Sequence, residues 1–516
     1  MTLEQLDLAL LAGAVVLLVA IAAVRLSVGT GLPSLVLYVG LGLLLGREGL
    51  GIEWGGERAH LETAQALGYS ALVVILAEGG LTTSWSQLRP TALPAASLAT
   101  VGVLVSVGVT ALVAAPLLPD EGGWRFALLV GAVVAPTDSA AVFSVLRRVP
   151  LPPRLAGLLE AESGFNDATA VLLVVTLSTS MATPAGSGWA GLLEIGGLLV
   201  YELLAGAAIG LLVGRVGAAG VRRIALPASG LYPIAVMALA VGAYALAGVA
   251  HASGFLAVYL AAMVLGNARL PHGPPVRGFA EGLAWLAQIG LFVMLGLLVT
   301  PSELGAALLP ALGVGAALLL LARPLSVLVA LLPFRLAARS FRPSWREQAF
   351  LSWAGLRGAV PIVLAIVPVV QGVPGSEGLL PVVFVLVVVL TVVQGPTLPG
   401  LATRLAVAAP AEARDVDVES SPLVRLGADL LELRIPPTSR LHGVEVLELR
   451  LPPGAAVPLV VRDGRAFVPG PTTPLRHGDD VLVVAPAAVR ESTEARLREV
   501  SRAGRLARWY DRQDRT

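Results

Sequence analysis

Apolar runs recur along residues 1–405, and their lengths constrain the fold more than any other feature of the chain. A membrane-spanning helix needs about 20 apolar residues. The composition is 56% hydrophobic and 14% charged, with a mean hydropathy of +0.81, which is typical of a polytopic membrane protein and excludes a soluble globule. We therefore predict an all-α bundle of about thirteen transmembrane helices, near residues 6–24, 31–46, 64–83, 93–117, 124–145, 155–180, 190–217, 230–249, 252–267, 281–300, 304–332, 347–370 and 378–404.

The loop arginines are distributed unevenly between the two sides that these spans define. If the N-terminus is outside, the outside loops carry only Arg47, Arg58 and Arg125. Cytoplasmic loops are enriched in arginine and lysine, so the bias predicts an outside N-terminus, a cytoplasmic C-terminus and an odd number of spans. The inside loops carry Arg25, Arg89, Arg147, Arg148, Arg154, Arg215, Arg222, Arg223, Arg269, Arg277, Arg335, Arg339, Arg342, Arg346 and Arg404.

The composition changes after the last apolar run. Residues 406–428 are polar with alternating charges, and we interpret them as a linker. Short β-like runs separated by Pro-Pro, Asp-Gly and Gly-Asp turns fill residues 429–486 and predict a small α+β cytosolic domain. Residues 487–516 read as a basic helix and tail, for which a solvated helix is the simpler interpretation and contact with the membrane surface is the alternative.

Two apolar segments carry acids at membrane depth, where ionised side chains are costly and mark functional sites by default. The fifth span holds Thr137 and Asp138 after a proline, and the sixth holds Ser163, Asn166 and Asp167. Transporters build midplane cation sites at such helix breaks. A buried carboxylate is neutralised by a proton or by a cation, so competition for Asp167 predicts antiport. Asp138 and the hydroxyl oxygens suit a hard monovalent cation, although Asp138 and Ser163 could instead cap broken helices.

Four further charged residues lie within predicted spans. Glu78 lies either at the membrane edge or on the inner rim of the cation path. Arg323 stands among leucines and needs an acid partner, so we predict a structural ion pair with Glu162. Arg357 lies in a segment whose glycines and proline predict a second broken helix, where it either offsets the negative ends of half-helices or snorkels to the interface.

The two predicted helix breaks lie seven spans apart, near residue 136 of the fifth span and residues 358–361 of the twelfth. Two six-span repeats of opposite orientation, joined by one extra span, would give this spacing. We therefore predict inverted repeats whose broken helices cross.

The segments LAEGGL, APTDSAAV, ESGFNDATAV, LARPL and WAGLRGAV follow one another in the order seen in monovalent cation–proton antiporters of the NhaP and sodium–proton exchanger type, and residues 5–405 resemble that family. The resemblance implies a bacterial inner-membrane homodimer in which a mobile core domain works as an elevator against a dimer domain. Ser139 stands where the family commonly has proline. The implied cation site consists of Asp167, Asp138, Thr137, Ser163 and Asn166, with Glu78 nearby and with Glu162 paired to Arg323.

The adjacent Asn166 and Asp167 resemble the pair of those relatives that exchange one cation for one proton, which implies electroneutral exchange. The segment from 429 to 486 is similar to the RCK-C or TrkA-C domain of potassium-transport regulators. Such domains often dimerise and bind a small nucleotide effector such as cyclic di-AMP. This resemblance favours potassium over sodium as the substrate.

The sequence therefore predicts an electroneutral potassium (or sodium)–proton antiporter, with a sodium-selective antiporter as the alternative. A ligand-gated cation channel is a rival, although no TVGYG-type selectivity filter is present. An inert membrane part serving a sensor is a second rival. No nucleophile–base set, cysteine or histidine cluster is present, so we expect no enzyme activity, no resident cofactor and no nucleic-acid partner.

Overall fold

The computed structural model divides the chain into two compact units, Met1–Ala408 and Ala409–Thr516. Several residues of the sequence analysis lie outside the described ranges, namely Ser139, Arg147, Arg148, Arg269, Arg339, part of the 406–428 segment and the tail beyond residue 504. The structure describes residues 3–30, 34–52, 58–117, 123–138, 141–142, 145–146, 151–182, 189–224, 226–268, 270–337, 342–408, 418–423 and 428–504.

The first unit is built from helices. They are α1 Leu3–Thr30, α2 Ser34–Leu45, α3 Arg58–Thr82, α4 Trp85–Leu88, α5 Ala92–Ser97, α6 Val103–Leu117, α7 Gly123–Val134, α8 Pro153–Ala182, α9 Trp189–Arg223, α10 Leu231–Val249, α11 Gly254–Asn267, α12 Gly273–Leu297, α13 Leu304–Ala317, α14 Arg323–Ala337, α15 Trp345–Trp353, α16 Ala359–Val370 and α17 Leu379–Arg404.

Within the described ranges, seven helical stretches are long and apolar enough to cross a membrane, and five shorter apolar helices accompany them. The long helix α8, which carries Glu160, Glu162 and Asp167, is not among the seven. The chain is therefore a multi-pass, mostly helical membrane protein. The number of thirteen spans stays a prediction.

Both predicted helix breaks are present, and they contact each other. α7 ends at Val134 and residues 135–138 are not helical, because a proline at position 136 removes a backbone donor. The second break separates α15 from α16, and its Leu356 carbonyl accepts a hydrogen bond of 2.8 Å from the Asp138 amide. Gly358 is required at this crossing, because a Cβ atom there would lie 1.9 Å from Asp138 Oδ2.

Two π-helical segments that the sequence analysis did not predict continue other helices. Leu98–Gly102 joins α5 to α6, and Leu318–Ala322 joins α13 to α14. They fall on the fourth and eleventh predicted spans, which are again seven apart. This recurrence supports two related halves, although the inverted repeats stay a prediction.

Small residues allow the helices around the break to approach closely, as in other membrane bundles. A Cβ atom on Gly80 of α3 would lie 2.5 Å from the Tyr259 carbonyl oxygen of α11, and one on Gly42 of α2 would lie 2.2 Å from the Val293 carbonyl oxygen of α12. Helix α3 therefore packs closely on α11, and α2 packs closely on α12.

The second unit contains a five-stranded antiparallel sheet in the order β1-β2-β5-β3-β4. Alternate residues of β2 and β5, such as Leu431, Leu433, Val481 and Val483, are buried in one apolar core. The α+β prediction for this unit is therefore correct. The elements are β1 Val418–Leu423, β2 Ala428–Arg434, β3 Ala456–Arg462, β4 Arg465–Phe467, β5 Asp480–Pro486 and the helix α18 Arg490–Ala503.

Two elements of this unit extend beyond the predicted range 429–486. β1 lies within the segment that we interpreted as a linker and pairs along its whole length with β2. The helix α18 lies in the segment that we read as a solvated tail, yet it buries Leu497 and Val500 in the core of the unit. Backbone pairing does not require an apolar sequence in the first, and one apolar face suffices for the second.

A buried acid fixes the turn before β5. Asp479 is fully buried and accepts hydrogen bonds of 2.8 Å from Nε and Nη2 of Arg462 and from the Arg476 amide. Burial raises the pKa of Asp479, but these donors outweigh it and hold the pKa below its ordinary value. The Asp479–Arg462 pair therefore links β3 to the start of β5.

Candidate cation site

A cavity of about 250 Å³ lies beside the crossed breaks, and we call it the acidic cavity. Helices α3, α8, α11, α12 and α16 surround it together with the break after α7. Its carboxyl groups belong to Glu78, Asp138, Glu160 and Asp167. Its neutral polar groups belong to Thr82, Thr83, Thr137, Ser163, Tyr259 and Gln288.

Asp167 is the most unusual member of this cavity. The residue is only 7% exposed, and its Oδ1 atom has no hydrogen-bond partner within the described ranges. Buried polar groups are nearly always hydrogen-bonded, and an isolated buried carboxylate is much more costly than a neutral group. The oxygen therefore lies where a proton or a cation would remove an unfavourable charge.

Ser163 and Asn166 attach the break after α7 to α8. The Ser163 hydroxyl donates to the Thr137 carbonyl oxygen at 2.8 Å, and the Asn166 amide nitrogen donates to Thr137 Oγ1 at 2.7 Å. Ser163, Thr137 and Asp138 line the acidic cavity together with Asp167, whereas Asn166 does not. Asn166 thus orients Thr137, which faces the cavity.

Arg357 lies at the centre of the crossing. It is 2% exposed, and its Nη1 atom donates to the carbonyl oxygens of Ala135 and Pro136, at 2.8 Å each. These carbonyls follow the C-terminal end of α7, where the helix dipole is negative. The structure therefore buries Arg357 against the half-helix end, and its role in offsetting the negative end of α7 stays a prediction.

Glu162 and Arg323 form a buried two-point ion pair. The Nη2–Oε2 distance is 2.9 Å, and Nη1 contacts Oε1, with side-chain exposures of 1% for Glu162 and 7% for Arg323. Arg323 also donates to the Leu351 carbonyl oxygen at 3.3 Å. The pair therefore joins α8, α14 and α15, on a side of α8 that does not line the acidic cavity.

The structure adds cavity residues that the sequence analysis missed. Glu160 shares one face of α8 with Ser163, Gly164 and Asp167, at spacings of three, four and seven residues. Helical periodicity alone would have found it. Tyr259 gave no such signal, because it is the lone polar ring of an apolar run.

Tyr259 connects three of the helices around the cavity. Its hydroxyl lies 3.2 Å from Thr83 Oγ1, after the end of α3, and its ring packs edge-to-face on Phe165 of α8 with centroids 5.6 Å apart. A Cβ atom on Gly164 would lie 2.6 Å from this ring. Tyr259 therefore covers α8 one turn from Asp167.

The predicted site residues thus fall into two groups. Thr137, Asp138, Ser163, Asp167 and half-buried Glu78 line one cavity. Asn166, Arg357 and the ion pair of Glu162 with Arg323 surround it without lining it. Within the described ranges no three histidine, cysteine or acidic residues form a multivalent metal site. Carboxylate and hydroxyl oxygens with so few ligands suit a monovalent cation better.

The sequence profile of the family described as "Sodium/hydrogen exchanger, transmembrane" matches residues 13–404, and that of the TrkA-C domain matches residues 430–498. The K(+)/H(+) antiporter NhaP of Alkalimonas amylolytica is 39% identical over 412 residues, which are 80% of this chain and 69% of that protein. The K(+)/H(+) antiporter NhaP2 of Shewanella baltica is 34% identical over 482 residues, covering 92% and 80% respectively.

A third relative is named for sodium and not for potassium. The Na(+)/H(+) antiporter NhaP of Pseudomonas aeruginosa is 30% identical over 374 residues, which are 66% of this chain and 81% of that protein. Among solved structures, the sodium proton antiporter MjNhaP1 of Methanocaldococcus jannaschii at pH 8 superposes with a TM-score of 0.65. It covers 78% of this chain and 99% of its own at 22% identity, which supports the fold alone.

Proposed function

Because the chain belongs to the sodium/hydrogen exchanger family, as an NhaP-type antiporter with a C-terminal TrkA-C domain, we propose that it exchanges potassium or sodium for protons across a bacterial inner membrane. The family match confirms the resemblance carried by the motifs. The observation that carries the proposed mechanism is the buried, unpartnered Oδ1 of Asp167 in the acidic cavity.

Asp167 would bind the proton and the cation in turn. Desolvation disfavours its ionised form, so the site is occupied either by a proton on the carboxyl group or by a cation against the carboxylate. Asp138, which lines the same cavity, would supply a second charged oxygen. Thr137 and Ser163 would supply neutral oxygens, since both line the cavity. Mutual exclusion at one charge couples the two fluxes.

Potassium is the substrate that we favour. The relatives that match 80% and 92% of the chain are named K(+)/H(+) antiporters, whereas the relative named a Na(+)/H(+) antiporter is 30% identical and the solved sodium proton antiporter is 22% identical. The TrkA-C domain supports the same choice. We propose a stoichiometry of one cation for one proton, because the residue before the carrier acid Asp167 is the neutral Asn166.

The transport cycle that we propose is alternating access by an elevator movement in a homodimer. The two helix breaks would move together with α8, because Asp138, Thr137 and Arg357 link them by hydrogen bonds. The N-terminus would lie outside and the TrkA-C domain in the cytoplasm, as the loop arginines indicate.

The TrkA-C domain would regulate exchange by binding a small effector. Cyclic di-AMP is the nucleotide that the resemblance suggests. Isothermal titration of the full-length protein in detergent should give heat with this nucleotide and none with AMP. Equal responses to the two, or none, would remove cyclic di-AMP from the proposal.

Exchange is tested in proteoliposomes that contain an internal pH dye. Addition of potassium or sodium to vesicles with a pH gradient should dissipate the gradient without charge compensation. Asp167→Asn should abolish this response, while the exposed Glu303→Gln control should exchange normally. Robust exchange by Asp167→Asn would refute the site, and cation flux without proton movement would favour a channel.

A further inference from the structure

Glu160 is a charged side chain of the acidic cavity that no family motif quoted above includes. It lies on α8, two turns before Asp167 and on the same face. It is half-buried, and within the described ranges its carboxylate makes no hydrogen bond and no ion pair. A carboxylate without structural partners that still faces a cavity is available to a solute in that cavity.

The acidic cavity contains no described side chain that would neutralise Glu160. Its described lining includes four carboxyl groups and no arginine, lysine or histidine. The two buried arginines nearest the breaks are engaged elsewhere, Arg323 with Glu162 and Arg357 with backbone carbonyls. A low-dielectric cleft lined by one sign of charge concentrates counter-ions. The field of this cavity therefore attracts cations.

A second observation indicates that a cation is the solute. Asp167 lines the same cavity, and its Oδ1 atom is buried and lacks a hydrogen-bond partner within the described ranges. Glu78 stands near the end of α3 and Glu160 near the start of α8, and their charges act on one another. In the proposed topology both helix ends are cytoplasmic. The two acids thus lie between the cytoplasm and Asp167.

We propose that Glu160 of α8, together with Glu78 of α3, forms an outer cation position that guides the monovalent cation to Asp167 and sets the apparent cation affinity. The proposal rests on the proposed exchange function. Gln288 and Thr82, which line the same cavity, would supply neutral oxygens to this outer position. A guiding charge changes the association rate and its salt dependence more than the maximal turnover.

Glu160→Gln tests this assignment, because it keeps the side-chain shape and removes the charge. In proteoliposomes, the cation concentration for half-maximal exchange should rise about three- to tenfold, with the maximal rate within about twofold. The rise should shrink when impermeant choline chloride screens the cavity mouth. Glu160→Asp should restore most of the affinity, and Glu303→Gln should behave as the unchanged protein.

Two results would overturn the proposal. One is an unchanged half-maximal cation concentration in Glu160→Gln, and the other is a lost maximal rate at unchanged affinity. Thermal stabilisation of the detergent-solubilised protein by the same cation provides a readout that does not need exchange. If the unchanged protein does not exchange cations for protons, the proposed exchange function is refuted. The inference then stands only if Glu160→Gln raises the cation concentration for half-maximal stabilisation.

Discussion

Removal of the positive charge from the buried pair of Arg323 and Glu162 should destabilise the membrane unit strongly. Arg323→Met is the sharpest perturbation, because it keeps an unbranched apolar stem and removes the charged guanidinium group. Within the described ranges, both carboxylate oxygens of Glu162 receive hydrogen bonds from Arg323 alone. The variant therefore leaves a carboxylate that is 1% exposed without a partner.

The expected magnitude follows from this geometry. Loss of one partner of a buried ion pair costs about 3–5 kcal/mol, since the remaining charge is neither hydrated nor paired. At about 1.4 kcal/mol for each tenfold change, the unfolding equilibrium shifts by two to nearly four powers of ten. Replacement of both partners in Glu162→Met/Arg323→Met removes the unpaired charge, and this double variant should recover most of the loss.

Unfolding in mixed micelles with increasing dodecyl sulfate provides the assay, followed by the fluorescence of the eight tryptophans. The exposed Arg404→Ala is the matched control and should change the unfolding free energy by less than about 0.5 kcal/mol. A single variant as stable as the control would contradict a buried pair. A double variant less stable than the single one would show that the ion pair itself, and not the orphaned charge, dominates.

Two further predictions concern other contacts. Gly358→Ala should lower the exchange rate by about ten- to a hundredfold, because its Cβ would displace the Asp138 carboxylate; the open position Gly282→Ala is the control, and equal rates would contradict the crossing. Because the folded-state pKa of Asp479 is depressed, its contribution to stability is present above the unfolded value of about 4 and is lost as the pH falls through the folded value. The difference in melting temperature between the protein and Asp479→Asn should therefore shrink below about pH 4, and a constant difference from pH 6 to pH 3 would contradict the role of the Arg462 pair.

The sequence could predict those parts of the site that depend on a helix-breaking residue nearby or on a buried charge that needs a partner of opposite sign. The break after α7 follows from a proline, and the second break follows from two glycines around Arg357. Arg323 lies in an apolar run and requires an acid, and few acids exist at membrane depth. In these cases the residue type alone restricts the local backbone or the partner to very few possibilities.

The parts that escaped prediction depend on contacts between distant segments or on backbone detail. Glu160 lines the cavity because of the face of α8 that it occupies. A linear sequence motif does not show on which face of a helix a residue lies. Tyr259 enters the cavity only because α11 packs on α3 and α8. The π-helical segments change only the backbone hydrogen bonds within mostly apolar stretches, and no residue type there indicates them. β1 is formed by pairing with β2, and its mostly polar sequence with a proline does not indicate a strand.

The charges of the side chains around the two crossed breaks determine whether the membrane potential acts on transport. Glu162 and Arg323 cancel each other, and Arg357 balances one of the two acids, Asp138 and Asp167. With both acids ionised, this group of five side chains carries one uncompensated negative charge. One bound proton or one bound monovalent cation brings the sum to zero. If only these five side chains moved with the bound ion, while Glu78 and Glu160 stayed on the cytoplasmic side, the moving charge would be zero in either loaded form. Concentration gradients would then drive exchange and voltage would not.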